Sequence, residues 1–276
     1  MEGMNSMNTE ELNEVSKTLF VPMGGRIYAS EHFPDILHDT KALELKKHIP
    51  EEILQDKRQS QYTFLASAVR CRNIDDRIRE FLKKYPEGAV VELGCGLETT
   101  YFRTDNGKAV WYELDLPEVI AYRKQLIPLQ DRMHFIEASA FDPAWMDELA
   151  PVIKDRPVLF LASGVFQYFE ESTVIQLFND LQRFHNAFIV FDAVSKLGMS
   201  GTRRYMKQLG KDSAAMYFYC DDANELARKA GNGISVSYAK DFYKSIDRHG
   251  MSFVTRVSMN ISDAMHMVKL IELKLS

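Results

Sequence analysis

From Gln61 to Lys84 the apolar residues Phe64, Leu65, Ala68, Ile74, Ile78, Phe81 and Leu82 recur at helical spacing, and Pro86-Glu87-Gly88 stops the pattern. This predicts one long amphipathic helix. Beyond it, short apolar runs at 89–93, 109–114, 133–137, 158–162 and 187–192 alternate with helical patterns near 98–103, 117–126, 143–150 and 171–185. Strands buried on both faces read as continuous apolar runs, and helices between them cover a parallel sheet. The expected fold class is therefore α/β: a Rossmann-like, doubly wound, mostly parallel sheet with an antiparallel edge strand, expected at 252–259, and a helical cap or lid.

The cap is expected in residues 1–60, where short mixed segments carry turn signals at Pro22, Gly24-Gly25 and Pro34 and lead into a charged helical stretch at 40–48. Residues 61–276 are expected to form the core. Within them the polar and aromatic stretch 195–250, with helical patterns near 200–210 and 221–230, reads as an insertion on the substrate side. No repeat, Pro/Gly-rich linker or low-complexity tract beyond the Met/Asn-rich first eight residues marks a boundary, so a single domain is expected.

Composition narrows the chemistry. At 276 residues the chain is long enough to bury a core without staples. Its three cysteines, Cys71, Cys95 and Cys220, form no CxxC pair, which fits a reducing cytoplasm and neither a disulfide scaffold nor a zinc site. The amino terminus lacks an apolar signal region, and no run approaches the ~20 apolar residues needed to cross a bilayer, so neither secretion nor membrane insertion is expected. With 34 basic against 39 acidic residues the net charge is −5, which disfavours a nucleic-acid partner and favours a small molecule or protein. The seven histidines form no HxH or HExxH pair, so no metal site is expected. No Gly-x-Ser-x-Gly elbow or P-loop lysine is present, which argues against a hydrolase or a nucleoside triphosphatase.

The run Val90-Val91-Glu92-Leu93 ends in Gly94-Cys95-Gly96. Open α/β sheets bind ligands outside the carboxyl ends of their strands, and glycines there let a ligand lie against the backbone. A dinucleotide site of GxGxxG type needs a third glycine, and this chain has Thr99 at that position. Glu92 would also place an anion beside a pyrophosphate. A cationic sulfonium ligand bearing an amino group accepts that carboxylate, which disfavours a nicotinamide oxidoreductase. In Trp111-Tyr112-Glu113-Leu114-Asp115-Leu116-Pro117 an acid closes the next strand, about 20 residues beyond the glycine turn, where it accepts hydrogen bonds from ribose hydroxyls. Asp115 is the choice. Glu113, on the same strand face, either shares that role or makes an ion pair.

The segment Val91-Glu92-Leu93-Gly94-Cys95-Gly96-Leu97-Glu98-Thr99-Thr100, together with Glu113-Leu114-Asp115-Leu116-Pro117, resembles the leucine carboxyl methyltransferase family, especially its bacterial, tetracenomycin O-methyltransferase-like branch. Val15-Ser16-Lys17-Thr18-Leu19-Phe20-Val21-Pro22, Gly25-Arg26 and Leu37-His38-Asp39-Thr40-Lys41-Ala42 carry the same resemblance, which spans about residues 15–192. It implies a class I methyltransferase that uses S-adenosylmethionine, with Arg70 engaging the carboxylate of the methionyl portion through its planar fork. Arg72 projects from another helical face. Two departures stand out. The family commonly has an Asp-Leu pair after the third strand, where this chain has Ser139-Ala140, and Ala-Glu-Gly after the fourth, where it has Ala162-Ser163-Gly164. A hydroxyl or backbone carbonyl at 139, or Asp142 reaching back, is the expected substitute, with affinity affected more than fold. The candidate cofactor set is Arg70, Glu92, Gly94, Gly96, Asp115, Leu116, Ser139, Ala140 and Ser163.

Methyl transfer from a sulfonium is an in-line displacement, so alignment supplies much of the catalysis. A carboxylate acceptor needs no base, while a hydroxyl gains from one. No catalytic residue is assigned. Candidate substrate residues are Arg26 and Tyr28 in the cap, Tyr168 after the fourth strand, and Arg203 and Arg204 in the insertion; the bland alternatives are core packing for Tyr168 and a solvated charge for the arginines. The expected function is O-methylation of a carboxylate or hydroxyl on a small polyketide-like metabolite. The competing readings are protein C-terminal carboxyl methylation and a methyltransferase-like binding protein without activity.

Overall fold

The computed structural model describes residues 19–49, 60–208 and 216–275; the side chains of Thr202 and of residues 204–208 also lie outside the description. Seven strands form one sheet: β1 (Ala89–Leu93), β2 (Val110–Asp115), β3 (Met133–Glu137), β4 (Val158–Ala162), β5 (Ala187–Val194), β6 (Ile234–Asp241) and β7 (Val268–Leu275). Their order is β3-β2-β1-β4-β5-β7-β6. The first five are parallel, and β7 runs antiparallel between β5 and β6. Strand order reverses between β1 and β4, which opens a crevice at their carboxyl ends.

The apolar runs become strands because both sheet faces are covered. β1 and β4 are buried along their whole length. On one face Val91, Leu114 and Phe160 pack with Trp145, Leu177 and Phe178 of helices α6 (Ala144–Ile153) and α7 (Glu171–Leu181). On the other, Val90, Trp111 and Val190 pack with Leu65, Ile74 and Ile78 of the long helix α3 (Gln61–Lys84). Ser60 caps α3 by accepting from the Thr63 N–H, a bond of the kind that contributes about 1 kcal/mol.

The cap differs from expectation. Residues 20–32, read as turn-rich, form helix α1 (Phe20–His32). Pro22 sits in the first turn, where its missing N–H costs no intrahelical bond. Gly25 permits close crossing of α1 on α3: a Cβ there would lie 2.7 Å from both the Phe64 carbonyl oxygen and Ser67 Cβ. The charged stretch forms helix α2 (Thr40–Leu45) and a 3-10 turn at Lys46–His48.

The second correction concerns the carboxyl-terminal part. Residues 253–259 belong to a helix, Phe253–Ala264, and not to the edge strand. Ser252 caps it through the Thr255 N–H, and Thr255, Met259 and Ser262 form its buried stripe. The antiparallel strand is β7, and β6 beside it forms the sheet edge. Short helices α4 (Thr100–Thr104) and α5 (Pro117–Leu126) follow β1 and β2, and helices Lys196–Gln208 and Ala223–Ala230 occupy the stretch after β5. Residues 209 and 210 of the helical pattern expected near 200–210 lie outside the described residues.

Candidate active site

The first turn of the site is made by backbone. Gly94 and Gly96 adopt φ of +68° and +47°, a region that favours glycine, and the N–H groups of Gly94 and Cys95 donate to the Leu114 carbonyl at 2.8 and 3.0 Å. A Cβ on Gly94 would approach Val165 Cγ2 to 2.8 Å. At the end of β2, Asp115 clamps the turn: Oδ2 accepts from the Gly96 N–H at 2.7 Å and Oδ1 from the Leu116 N–H at 2.8 Å. Burial raises the Asp115 pKa above the ordinary aspartate value despite both bonds. Each oxygen keeps a second acceptor site.

Arg70 projects from α3 across the carboxyl end of β4. Its Nη1 lies 3.5 Å from Asp192 Oδ2, and Asp192 Oδ1 accepts from the Gly164 N–H at 2.6 Å. Burial opposes the guanidinium charge, but Asp192, Cys71 and Glu98 together outweigh it and raise the Arg70 pKa. Arg70 Nε and Ser163 Oγ are both buried without a hydrogen-bond partner. Such orphans are uncommon in folded proteins and mark this end of the site as having unused hydrogen-bonding capacity.

A cavity of about 500 Å³ joins these features. Of the predicted cofactor residues it brings together Arg70, Gly94, Gly96, Asp115, Leu116, Ser139, Ala140 and Ser163; of the predicted substrate residues, Arg26 and Tyr168. A larger groove of about 800 Å³ lies outside α2 and α4, lined by His38, Lys41, Arg72, Arg79 and Phe102 among others. None of the glycine-turn residues line it, so the smaller cavity is the candidate site.

Several predicted residues stand elsewhere. Glu92 does not line the cavity: it shares a sheet face with Val90, is 2% exposed, and its Oε1 accepts from Thr100 Oγ1 at 3.1 Å. It is in parallel register with Glu113, and Arg123 from α5 reaches Glu113 at 3.2 Å. Burial first, and then Glu113, raise the Glu92 pKa well above the usual carboxylate range. Glu113 thus makes an ion pair beneath the turn. Tyr28 stacks on Phe64 with ring centroids 5.0 Å apart, away from the cavity. Arg26 is fully buried and is held by Glu98 and by Asp39 at 3.4 Å, while Arg103 pairs with Asp39 and Asp75 at 2.7 and 2.8 Å. The Arg26 charge is therefore committed to the fold. Arg203 is exposed and donates to the Met216 carbonyl at 2.5 Å, and Met216 lines the cavity; the Arg204 side chain lies outside the described residues. Asp142 accepts from the Ala144 N–H at 3.0 Å and stays outside the cavity.

The sequence reading missed Glu98, Phe141, Gly164, Val165 and Phe169, all of which line the cavity. Glu98 and Gly164 lay within motifs already singled out. Phe141 and Phe169 meet with centroids 4.0 Å apart, a contact between segments that no spacing along one chain reveals. Cys71, Cys95 and Cys220 are free and buried. Among the described residues no three His, Cys, Asp or Glu side chains form a metal-like group, and no helix is long and apolar enough to cross a membrane.

The tetracenomycin polyketide synthesis O-methyltransferase TcmP of Streptomyces glaucescens is 29% identical over 188 residues, which cover 67% of this chain and 68% of that protein. A DUF574 family protein from Streptomyces avermitilis shares the fold with a TM-score of 0.63 at 12% identity, over 91% of this chain and 97% of its own. So does the magnesium protoporphyrin IX methyltransferase of Synechocystis with bound S-adenosylhomocysteine, with a TM-score of 0.50 at 11% identity over 91% and 98%. The family model described as leucine carboxyl methyltransferase matches residues 18–182, more than half of the chain. The protein therefore belongs to the leucine carboxyl methyltransferase family and is an S-adenosylmethionine-dependent methyltransferase.

Proposed function

We propose that the protein methylates oxygen on a small, polyketide-like metabolite, and that the acceptor is a carboxylate. The observation that carries this reading is the make-up of the cavity wall. Beyond the glycine turn it is mostly apolar and aromatic, with Phe141, Val165, Phe169 and Met216. Among the described lining residues there is no histidine, and both carboxylates already hold partners: Glu98 pairs with Arg26 and Asp115 accepts two N–H groups. A hydroxyl acceptor gains from a base that takes its proton, whereas an acceptor that arrives ionised needs only alignment. The likeness to TcmP supports a polyketide-like acceptor.

S-adenosylmethionine, when bound, supplies a methyl group on a sulfonium that leaves as a neutral thioether. The residues fit its parts. Asp115 keeps acceptor sites for ribose hydroxyls at the end of β2, and Gly94 and Gly96 let the ligand approach backbone. Ser139 and Ala140 line the adenine side, although the Ser139 hydroxyl already accepts from the Phe141 N–H at 3.3 Å. Arg70, with its Nε unpartnered, opposes the methionyl carboxylate beside the orphaned Ser163 hydroxyl. The aromatic wall and Tyr168 hold the acceptor and exclude water, with Arg203 at the rim through Met216. A carboxylate acceptor aligned there would accept the methyl group as a neutral ester, with no proton to remove. In this reading, Leu19, Val21, Pro22 and Arg26 of the cap and Met216 of the stretch after β5 wall one cavity within a single domain.

The test uses an aromatic hydroxy-acid as acceptor with radiolabelled S-adenosylmethionine. An ester releases labelled methanol on treatment with alkali, and an ether does not. Methanol release is expected; label retained in an alkali-stable product contradicts carboxylate methylation.

A further inference from the structure

The amino-acid end of the cavity rests on a carboxylate that does not itself line it. Asp192 lies on β5, beside Ser163 of the neighbouring strand end, because Ala162 pairs with Phe191 in the parallel register. Side chains alternate along a strand, and Ile189, Phe191 and Ala193 face one side of the sheet while Val190 faces the other. Asp192 shares the Val190 side, where α3 packs. On its far edge it pairs with Leu270 of β7, so its backbone is fixed from both directions.

There Asp192 joins two parts that meet the cavity. Oδ1 accepts from the Gly164 N–H at 2.6 Å, and Oδ2 faces Arg70 Nη1 at 3.5 Å, with the Asp192 side chain 11% exposed. Gly164 and Arg70 are also in direct contact: Gly164 has φ +68°, and a Cβ there would lie 2.6 Å from Arg70 Nη1. The height of the turn and the angle of the guanidinium are thus tied to each other and to one carboxylate. An unpaired buried cation would be costly, and Asp192 removes that cost while leaving Arg70 Nε without a partner.

Resting on the reading that Arg70 faces the methionyl carboxylate, we propose that Asp192 is the positioning residue of the cofactor's amino-acid subsite. It sets the Arg70 fork and the Gly164 turn, and it balances Arg70 so that the subsite as a whole is neutral. A neutral pair of opposite charges matches a zwitterion, ammonium and carboxylate together, better than it matches a simple anion. The subsite is therefore built for an intact amino-acid end.

The experiment compares S-adenosylhomocysteine with 5′-methylthioadenosine, which shares the nucleoside and thioether but lacks the amino-acid end. Binding of both to the full chain is measured by titration calorimetry for wild type and Asp192→Asn. Loss of a charge-assisted contact is expected to weaken S-adenosylhomocysteine binding about tenfold and to change methylthioadenosine binding by less than about twofold. Gly164→Ala, which displaces Arg70 from the other side, is expected to repeat the selective loss. Equal loss for both ligands in both variants, the mark of a merely structural role, overturns the inference, as does unchanged S-adenosylhomocysteine binding by Asp192→Asn. Wild type that binds S-adenosylhomocysteine no more tightly than methylthioadenosine refutes the Arg70 reading itself, and the inference falls with it.

Discussion

The two ends of the cavity are built by different means. At the β1–β2 end, backbone geometry does most of the work: two left-handed glycines, N–H groups tied to Leu114, and one carboxylate clamping the turn. At the β4–β5 end, groups from three parts of the chain meet: the Arg70 side chain from α3, the Gly164 N–H after β4 and the Asp192 carboxylate from β5. The first end is determined locally, within Glu92 to Leu116. The second exists only once α3 has packed on the sheet, so it depends on tertiary contacts and is open to substitution residue by residue.

That contrast can be broken at its firmest point. Gly94→Asp forces a side chain into a left-handed conformation, with its Cβ 2.8 Å from Val165 Cγ2 and a new charge in the cavity. Calorimetry is expected to detect no S-adenosylhomocysteine binding, with helix content by circular dichroism retained. Near-normal binding would mean that the turn is not the ligand's platform.

A smaller effect is expected at Ser139, the proposed adenine side. Ser139→Asp places a carboxylate where this chain has only a hydroxyl already engaged with the Phe141 N–H. One added hydrogen bond contributes about 1 kcal/mol, so affinity for S-adenosylhomocysteine should rise about fivefold. Weaker binding would show that residue 139 does not face the adenine.

The smallest effect on binding is predicted for Glu92, which lies beneath the turn and outside the cavity. Glu92→Gln should leave S-adenosylhomocysteine affinity within about twofold. Its consequence is for stability. Because the folded-state pKa is raised, the native protein holds a proton that the unfolded chain releases. Glu92 therefore favours folding fully below the unfolded glutamate pKa, and that contribution is lost as pH rises through the raised folded value. Glu92→Gln should flatten this decline and raise the urea midpoint at neutral pH; a tenfold loss of binding instead would put Glu92 in the site.

Most of the sheet was legible because buried parallel strands leave continuous apolar runs, and all five of those runs became β1 to β5. The glycine turn and Asp115 were legible for a similar reason, since they follow one another at fixed spacing. Glu92 was misread because strand alternation, not proximity to the glycines, decides its face. Helix α1 was hidden by Gly24-Gly25; the small size of Gly25 serves the crossing with α3, and neither glycine ends the helix. The strand expected at 252–259 had a helix cap in Ser252, while the antiparallel strand is β7 and the edge strand β6 beside it carried its signal in the alternation of Ile234, Val236 and Tyr238. Asp192 closed a predicted strand, but its partnership with Arg70 spans 122 residues and has no local signature.

The central claim is that the cofactor sits on the glycine turn with its ribose at Asp115. Titration calorimetry of S-adenosylhomocysteine into wild type and Asp115→Ala tests it most directly. The account predicts one-to-one binding by wild type and a loss of about 2 kcal/mol or more in the variant, near thirtyfold. Equal affinity in the two proteins would contradict it.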